Sequence, residues 1–434
     1  MRLTRPTEQT RPTDQSGTSE QSGPTGQSRP WSTPSQYWPA LEAATAHLDP
    51  PYGVVSLDAL AHNAFDLLDR AAGTPIRVAS KSVRVRGIID AVLALPGYAG
   101  VLAYTLPEAN WLATASADGE AIADVVVAYP TADRAALREL AASPELAARV
   151  TIMVDSIEQL DFVDSVVPPG SRETIRVCLE LDASYVTPMF GHIGVFRSPL
   201  HTAEQARAFA DVVVSRPGFR LVGLMGYEAQ IAGLVNKPAG NPLRGRAVTF
   251  LQSRSKTELA ERRTVAVASV REVADLEFVN AGGTGSIESS VAEAGVTEVA
   301  AGSGLFGPHL FDNYSHFHPA PAAAFALSVV RKPSSQTAVL LGGGWVASGP
   351  SGNDRLPKIV WPPEAEMVAR EMAGEVQTPL TGDGAARLRV GDRVWLRHTK
   401  AGELSEHLDG FAIVDGDAVV ETVPTYRGQG RVFL

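Results

Sequence analysis

Cysteine is nearly absent: among 434 residues there is only Cys178. A single thiol excludes an internal disulfide framework and any metal site built from several thiolates, and it fits a reducing, cytoplasmic setting. Basic residues are also in deficit, with 38 Lys and Arg against 48 Asp and Glu. The resulting formal net charge of -10 argues against a nucleic-acid partner, which needs a basic face. No apolar run is long enough to span a bilayer, so no membrane partner is expected either. Residues 1–36 lack the apolar side chains that offset chain entropy, being rich in Ser, Thr, Gln, Pro and Gly. They read as a disordered tail, and without an apolar h-region they do not read as a secretory signal.

Beyond the tail the composition is that of a globular enzyme, 44% hydrophobic and 20% charged, with length for a barrel plus an extension. Near-continuous apolar runs at 75–80, 100–105, 124–129, 149–155, 174–181, 219–226, 276–280 and 297–301 alternate with helix-like segments. Such runs suit parallel strands buried on both faces. They make eight βα steps over roughly 230 residues, near the ~250 typical of a (β/α)8 barrel. Periodicity does not itself show closure, so a doubly wound open sheet is the alternative. After residue 320 short alternating runs with Gly and Pro punctuation predict a smaller all-β domain over 321–434. The barrel is then 37–320, and the run at 52–57, preceding the first barrel strand, is free to pair with the β domain.

A barrel places catalytic groups at the C-terminal ends of its strands and a phosphate site after strands seven and eight. The first strand ends at Lys81. Taken alone, this residue reads as a solvated lysine opening a loop. At the tip of a buried strand it would instead lose water, and an amine with a lowered pKa can form a Schiff base with a carbonyl compound. The seventh strand is followed by Gly282-Gly283-Thr284-Gly285-Ser286 and the eighth by Gly302-Ser303-Gly304. One glycine-rich loop is usually a tight turn; two, in the two places the barrel specifies, fit an anion held by backbone amides.

These features, with Arg77-Val78-Ala79-Ser80-Lys81-Ser82, Gly226-Tyr227-Glu228-Ala229-Gln230 and Leu388-Arg389-Val390-Gly391-Asp392-Arg393-Val394, resemble fold-type III pyridoxal-phosphate enzymes, the alanine-racemase-like group. Within that group the chain is most similar to the D-threonine aldolase and D-serine dehydratase branch (amino acid deaminases and aldolases), from about residue 52 onward. The resemblance implies that Lys81 carries the cofactor. It also implies that Gly283, Thr284, Gly285, Ser303 and Gly304 hold its phosphate. Tyr227 would lie beside the cofactor or substrate, or else be a core tyrosine with a satisfied hydroxyl. His192 and Arg197, in the loop after the fifth strand, would lie near the cofactor.

The branch also places a histidine and, two residues on, a second metal ligand in the β domain. Here His398 takes the first position, but Lys400 stands at the second, and an ammonium cannot ligate a cation. Glu403 or His407 could replace it in a zinc or manganese site. Otherwise Lys400 itself supplies positive charge near the substrate hydroxyl.

The reaction implied is that of a lyase on a β-hydroxy D-amino acid. A base at His398, or a metal-bound hydroxide, would take the hydroxyl proton for retro-aldol cleavage to glycine and an aldehyde. In a dehydratase Lys81 would remove the Cα proton. A racemase would need a second base, for which Tyr314 and Tyr426 are available. A non-catalytic pyridoxal-phosphate-binding barrel would lack the β domain. The resemblance also implies a homodimer.

Overall fold

Closure is visible where the last barrel strand meets the first. The computed structural model describes residues 1–5, 29–117, 119–188, 191–400 and 402–434. β1 (Tyr52–Ser56) lies outside the barrel, whose strands begin with β2 (Ile76–Ala79), β3 (Tyr98–Ala103), β4 (Val125–Val127), β5 (Val150–Val154) and β6 (Ile175–Glu180). A short hairpin of β7 (Tyr185–Thr187) and β8 (Gly191–Ile193) intervenes. β9 (Phe219–Gly226), β10 (Phe278–Ala281) and β11 (Glu298–Ala301) complete the parallel ring of eight. β11 closes it on β2, with Val299 opposite Ile76 and Ala301 opposite Val78.

The period-2 alternation of a strand explains why the runs are apolar throughout. Ile76, Val78, Val101 and Ala103 point outward to the helices, while Leu102, Val126, Met153, Cys178, Met225 and Ala300 fill the interior. Gly223 makes room for Phe278: a Cβ there would lie 2.2 Å from the ring. Arg77, Asn280 and Glu298 point inward and form a polar layer joined by hydrogen bonds. Each fully buried aliphatic side chain contributes on the order of 1.5–3 kcal/mol.

Caps fix where helices begin. The helix Leu57–Ala71 starts at Ser56, whose hydroxyl accepts from Ala59 N, and Asp58 lies in its first turn.

The β domain adds β12 (Ala323–Ser334), β13 (Thr337–Leu341), β14 (Lys358–Trp361), β15 (Glu366–Met367), β16 (Gln377–Thr381), β17 (Arg393–Arg397), β18 (Gly410–Asp415) and β19 (Ala418–Pro424). With β1 these make a sheet of nine. β1 runs antiparallel to β12 and parallel to β18, so the chain enters this sheet before it builds the barrel.

The tail expected over 1–36 differs at both ends. Leu3 is buried, and Arg5 pairs with Asp69 at 2.9 Å. Pro34 opens a helix, Pro34–Ala44, whose Trp38 packs 6.3 Å from Trp395 of the sheet. Pro at the first helical position and apolar residues spaced for one face explain this helix. The remainder of the expected tail, 6–28, lies outside the described residues. Among the described residues no helix is long and apolar enough to cross a membrane.

Candidate active site

β2 ends at Ala79, and a single 3-10 turn, Ser80–Ser82, carries Lys81 to the C-terminal mouth of the barrel. Its Nζ donates to the Tyr129 hydroxyl at 2.8 Å. Both residues line a cavity of about 140 Å³, together with Arg197, Tyr227 and the loops 282–285 and 302–303. Arg197 places its guanidinium 5.3 Å from the Tyr129 ring centre and 5.5 Å from that of Tyr227, a cation held between two aromatic faces. Burial pushes the Tyr227 hydroxyl up to about 12, so it stays protonated.

The loops require glycine. A Cβ at Gly285 would sit 2.4 Å from the Ala232 carbonyl, and one at Gly302 would sit 2.2 Å from that of Ala79. At Gly283 it would press on the Tyr227 ring at 3.0 Å. The loops are tied to each other through Thr284 Oγ1, which accepts from Gly304 N at 3.1 Å and contacts Ser303 Oγ at 3.2 Å. Arg70 donates to the Thr284 carbonyl at 2.6 Å. Glu228 accepts from Ser286, Ser290 and Arg263 and anchors the first loop from below. An amine at one end of the cavity and a rigid cradle of amides and hydroxyls at the other fit a phosphate-bearing aldehyde such as pyridoxal phosphate.

Lys81, Tyr227, Arg197, Gly283, Thr284, Gly285 and Ser303 therefore come together. Gly304 spends its amide on Thr284 and is not among the described residues lining the cavity. Neither is His192, whose ring stacks on Phe196 at 4.1 Å within its own loop. The sequence reading missed Tyr129, although it ends the third strand-like run and so occupies a position that a barrel reserves for function. It also missed Glu180, the last residue of β6, whose carboxyl burial raises to about 7 against the opposing pull of Arg197.

The β domain closes over Lys81. A Cβ on Gly402 would lie 2.3 Å from the Lys81 carbonyl, and Ser405 Oγ donates to Val83 O at 2.7 Å. Lys400 is half-buried here, and its amine is lowered by burial and by Arg355, with Lys81 and Tyr129 close enough to act on it. His398 does not line the cavity. It is buried beside Phe306, and burial with the neighbouring Arg397 lowers it to about 3, so it is neutral. Both its ring nitrogens lack a hydrogen-bond partner among the described residues.

The expected metal site does not assemble. Among the described residues no group of three or more His, Cys, Asp and Glu side chains is arranged so that it could hold a metal ion. Glu403 accepts from Ser348 N and Oγ, at 3.1 and 3.0 Å, and the charges acting on His398 are Arg397 and His309, both basic residues. His407 stacks on Trp345 at 4.8 Å. One neutral imidazole among basic neighbours is a poor donor set for a divalent cation. Tyr314 and Tyr426, the candidate racemase bases, donate instead to Ala232 O at 2.9 Å and Glu108 at 3.0 Å.

Residues 55–309 match the family model described as alanine racemase, N-terminal domain. No curated protein matches the chain. Among solved structures it is similar to D-threonine aldolase from Filomicrobium marinum, with 20% identity and a TM-score of 0.70 over 89% of this chain and 97% of that one. D-threo-3-hydroxyaspartate dehydratase from Delftia sp. HT23 matches with 19% identity and a TM-score of 0.66, over 87% and 97%. An alanine-racemase-like protein from Idiomarina loihiensis matches with 16% identity and a TM-score of 0.63, over 88% and 97%.

Proposed function

The chain belongs to the alanine racemase N-terminal domain family, and on that premise we propose that it is a pyridoxal-phosphate-dependent lyase acting on β-hydroxy D-amino acids. The observation that carries the reading is the shared cavity: the Lys81 amine, the Tyr129 hydroxyl and both glycine-rich loops face one space at the barrel mouth. The likeness, over 89% and 87% of this chain, to structures named as a D-threonine aldolase and a D-threo-3-hydroxyaspartate dehydratase supports the lyase class.

Pyridoxal phosphate bound through Lys81 supplies an electron sink for the pair left at the substrate Cα. The chain's own residues do the rest. The loops 282–285 and 302–303, which line the cavity, would hold the phosphate with uncharged donors. Tyr227 packs on Gly283 and walls one side, while Arg197 presents a cation to an anionic substrate. The Lys81 amine would hold or move a proton at the substrate, with the Tyr129 hydroxyl 2.8 Å away as its relay partner. Gly402 of the β domain packs directly on the turn that carries this amine, where a Cβ would lie 2.3 Å from the Lys81 carbonyl.

The test is product analysis with the cofactor-loaded protein. D-threonine should yield glycine and an aldehyde if the protein is an aldolase; D-serine should yield a 2-oxo acid and ammonia if it is a dehydratase. Turnover of neither, with racemisation of alanine alone, would contradict the lyase reading.

A further inference from the structure

We infer that Arg262 is a positioning residue, which sets Arg197 at the barrel mouth by tying together the two limbs of the loop that carries it. The inference rests on the lyase reading above, in which Arg197 meets an anionic substrate. It adds to that contact a support from outside the cavity lining.

Arg197 depends on its backbone for its place. It lines the cavity, yet among the described residues it has no ion pair, only the faces of Tyr129 and Tyr227. It stands late in the excursion between β6 and the helix Ala203–Ser215, so its position follows from how the two limbs of that loop are fixed. Contact with β9 ends at Leu181, whose N–H donates to Met225 O at 2.7 Å. The next three residues, Asp182, Ala183 and Ser184, are buried and belong to no strand, so their carbonyls need donors from elsewhere. Arg262 supplies two of them: Nη1 donates to Asp182 O at 2.6 Å and Nη2 to Ser184 O at 2.7 Å. Gln230 Nε2 donates to Ala183 O at 2.6 Å. Arg262 Nη1 also donates to His201 O at 3.0 Å, on the returning limb. One guanidinium therefore joins both limbs. Glu258, a turn earlier on the helix Pro242–Arg271, fixes its orientation by accepting from Nε at 2.6 Å.

The same neck is stitched from within. Asp182 N donates to Leu200 O at 2.9 Å, the Asp182 carboxylate meets His201 Nδ1 at 2.8 Å, and Ser198 Oγ donates to Glu180 O. A Cβ at Gly194 would lie 2.8 Å from that of Ser184, so the limbs are in contact. His201 stands four residues after Arg197, and Ser198 is its immediate neighbour, so a shift of the returning limb moves the guanidinium in the cavity. Such a shift matters, because a misplacement of about 1 Å can cost on the order of 100-fold in rate. Lysine is no substitute for Arg262, since an ammonium lacks the planar fork that holds carbonyls on two limbs. Gln230 and the Asp182–His201 pair remain when Arg262 is replaced, so the neck loosens without losing its path.

The experiment is a double-mutant cycle on the holoenzyme. kcat and KM for D-threonine and D-serine are measured for Arg262→Gln, Arg262→Lys, Arg197→Gln and the two double variants. Hydrogen exchange of the full chain, read by mass spectrometry, follows the loop without turnover. Arg262→Gln is expected to lower kcat/KM about 10- to 100-fold, most of it as a rise in KM. It should also speed exchange in peptides from the two limbs, 182–184 and 197–201. Arg262→Lys should recover only part of the loss. In the Arg197→Gln background the same changes should cost about 2-fold or less, because the group they position is already gone. Equal fold losses in both backgrounds would show that Arg262 acts on stability alone and overturn the inference. Unchanged kcat/KM, or unchanged exchange in both limbs, would overturn it too. Should Arg262→Gln fail to fold, the cycle is read on Arg262→Lys. If neither substrate is turned over by protein loaded at Lys81, the lyase reading fails. Exchange in the limbs and tryptic cleavage after Arg197, both faster in Arg262→Lys if the neck holds the loop, then still decide the positioning role.

Discussion

Arg77 is the residue whose removal has the most calculable effect. It belongs to β2, the strand that delivers Lys81, and its side chain is 2% exposed inside the barrel. Nε and Nη2 donate to the two oxygens of Glu298 at 2.7 and 2.8 Å, and Nη2 also reaches Asp124 at 2.8 Å. Glu298 lies on β11, so this fork joins the first and last strands across the seam that closes the ring. Arg77→Met removes a cation and leaves Glu298 buried with one remaining donor, Asn280 Nδ2 at 2.8 Å. Stranding one member of a buried pair costs about 3–5 kcal/mol. Asp124, 47% exposed, recovers water and adds little. Urea denaturation followed by circular dichroism and tryptophan fluorescence should show that loss, with weaker retention of the cofactor as β2 loosens. The double variant Arg77→Met, Glu298→Met removes both charges and should recover most of the loss, because buried pairs are often replaceable by apolar side chains. A single variant that loses less than about 1 kcal/mol, or a double variant as unstable as the two singles added, would refute the reasoning.

Gly302→Ala should cost about 1–3 kcal/mol and lower cofactor occupancy, because its Cβ meets the Ala79 carbonyl two residues before Lys81. Gly87→Ala, in the helix Arg86–Leu93 with its nearest neighbour 3.6 Å away, should instead be neutral or gain up to about 1 kcal/mol, and thermal melts compare the two. Glu108 is buried and raised from 4.5 to about 7 by burial, so the fold holds a proton that the unfolded chain releases. Stability should therefore fall as pH rises from 4.5 to about 7, by up to about 3 kcal/mol, and Glu108→Gln should flatten that slope in urea titrations. His398 works in the opposite sense: lowered from 6.5 to about 3, it must stay neutral in the fold, so its contribution erodes as pH falls through that interval. Because the donor set around His398 suits no divalent cation, exhaustive chelation should leave activity unchanged; loss restored by zinc or manganese would show the opposite.

The barrel was readable because parallel strands buried on both faces leave contiguous apolar runs, and all eight fall where those runs lie. Lys81 and the glycine loops were readable because a barrel puts function at the C-terminal ends of its strands. The β domain was less so: β14, β15 and β16 are short, and Pro362, Pro363 and Pro379 interrupt the pattern that would mark them. The helix at 34–44 was masked by the polar stretch before it, since Trp38 finds its partner Trp395 only in three dimensions. The same holds for the site's supports. Nothing in sequence links Arg70 to Thr284 or Glu228 to Ser290, which are 214 and 62 residues apart. His192 had the right neighbourhood in sequence, but its loop turns the ring onto Phe196.

The central claim is that Lys81 carries pyridoxal phosphate, and borohydride reduction of the cofactor-loaded protein followed by peptide mapping tests it most directly. The account predicts a visible absorption band that reduction abolishes, with the label fixed on the peptide containing Lys81 and missing from Lys81→Ala. No band, or a label on another lysine such as Lys400, would contradict it.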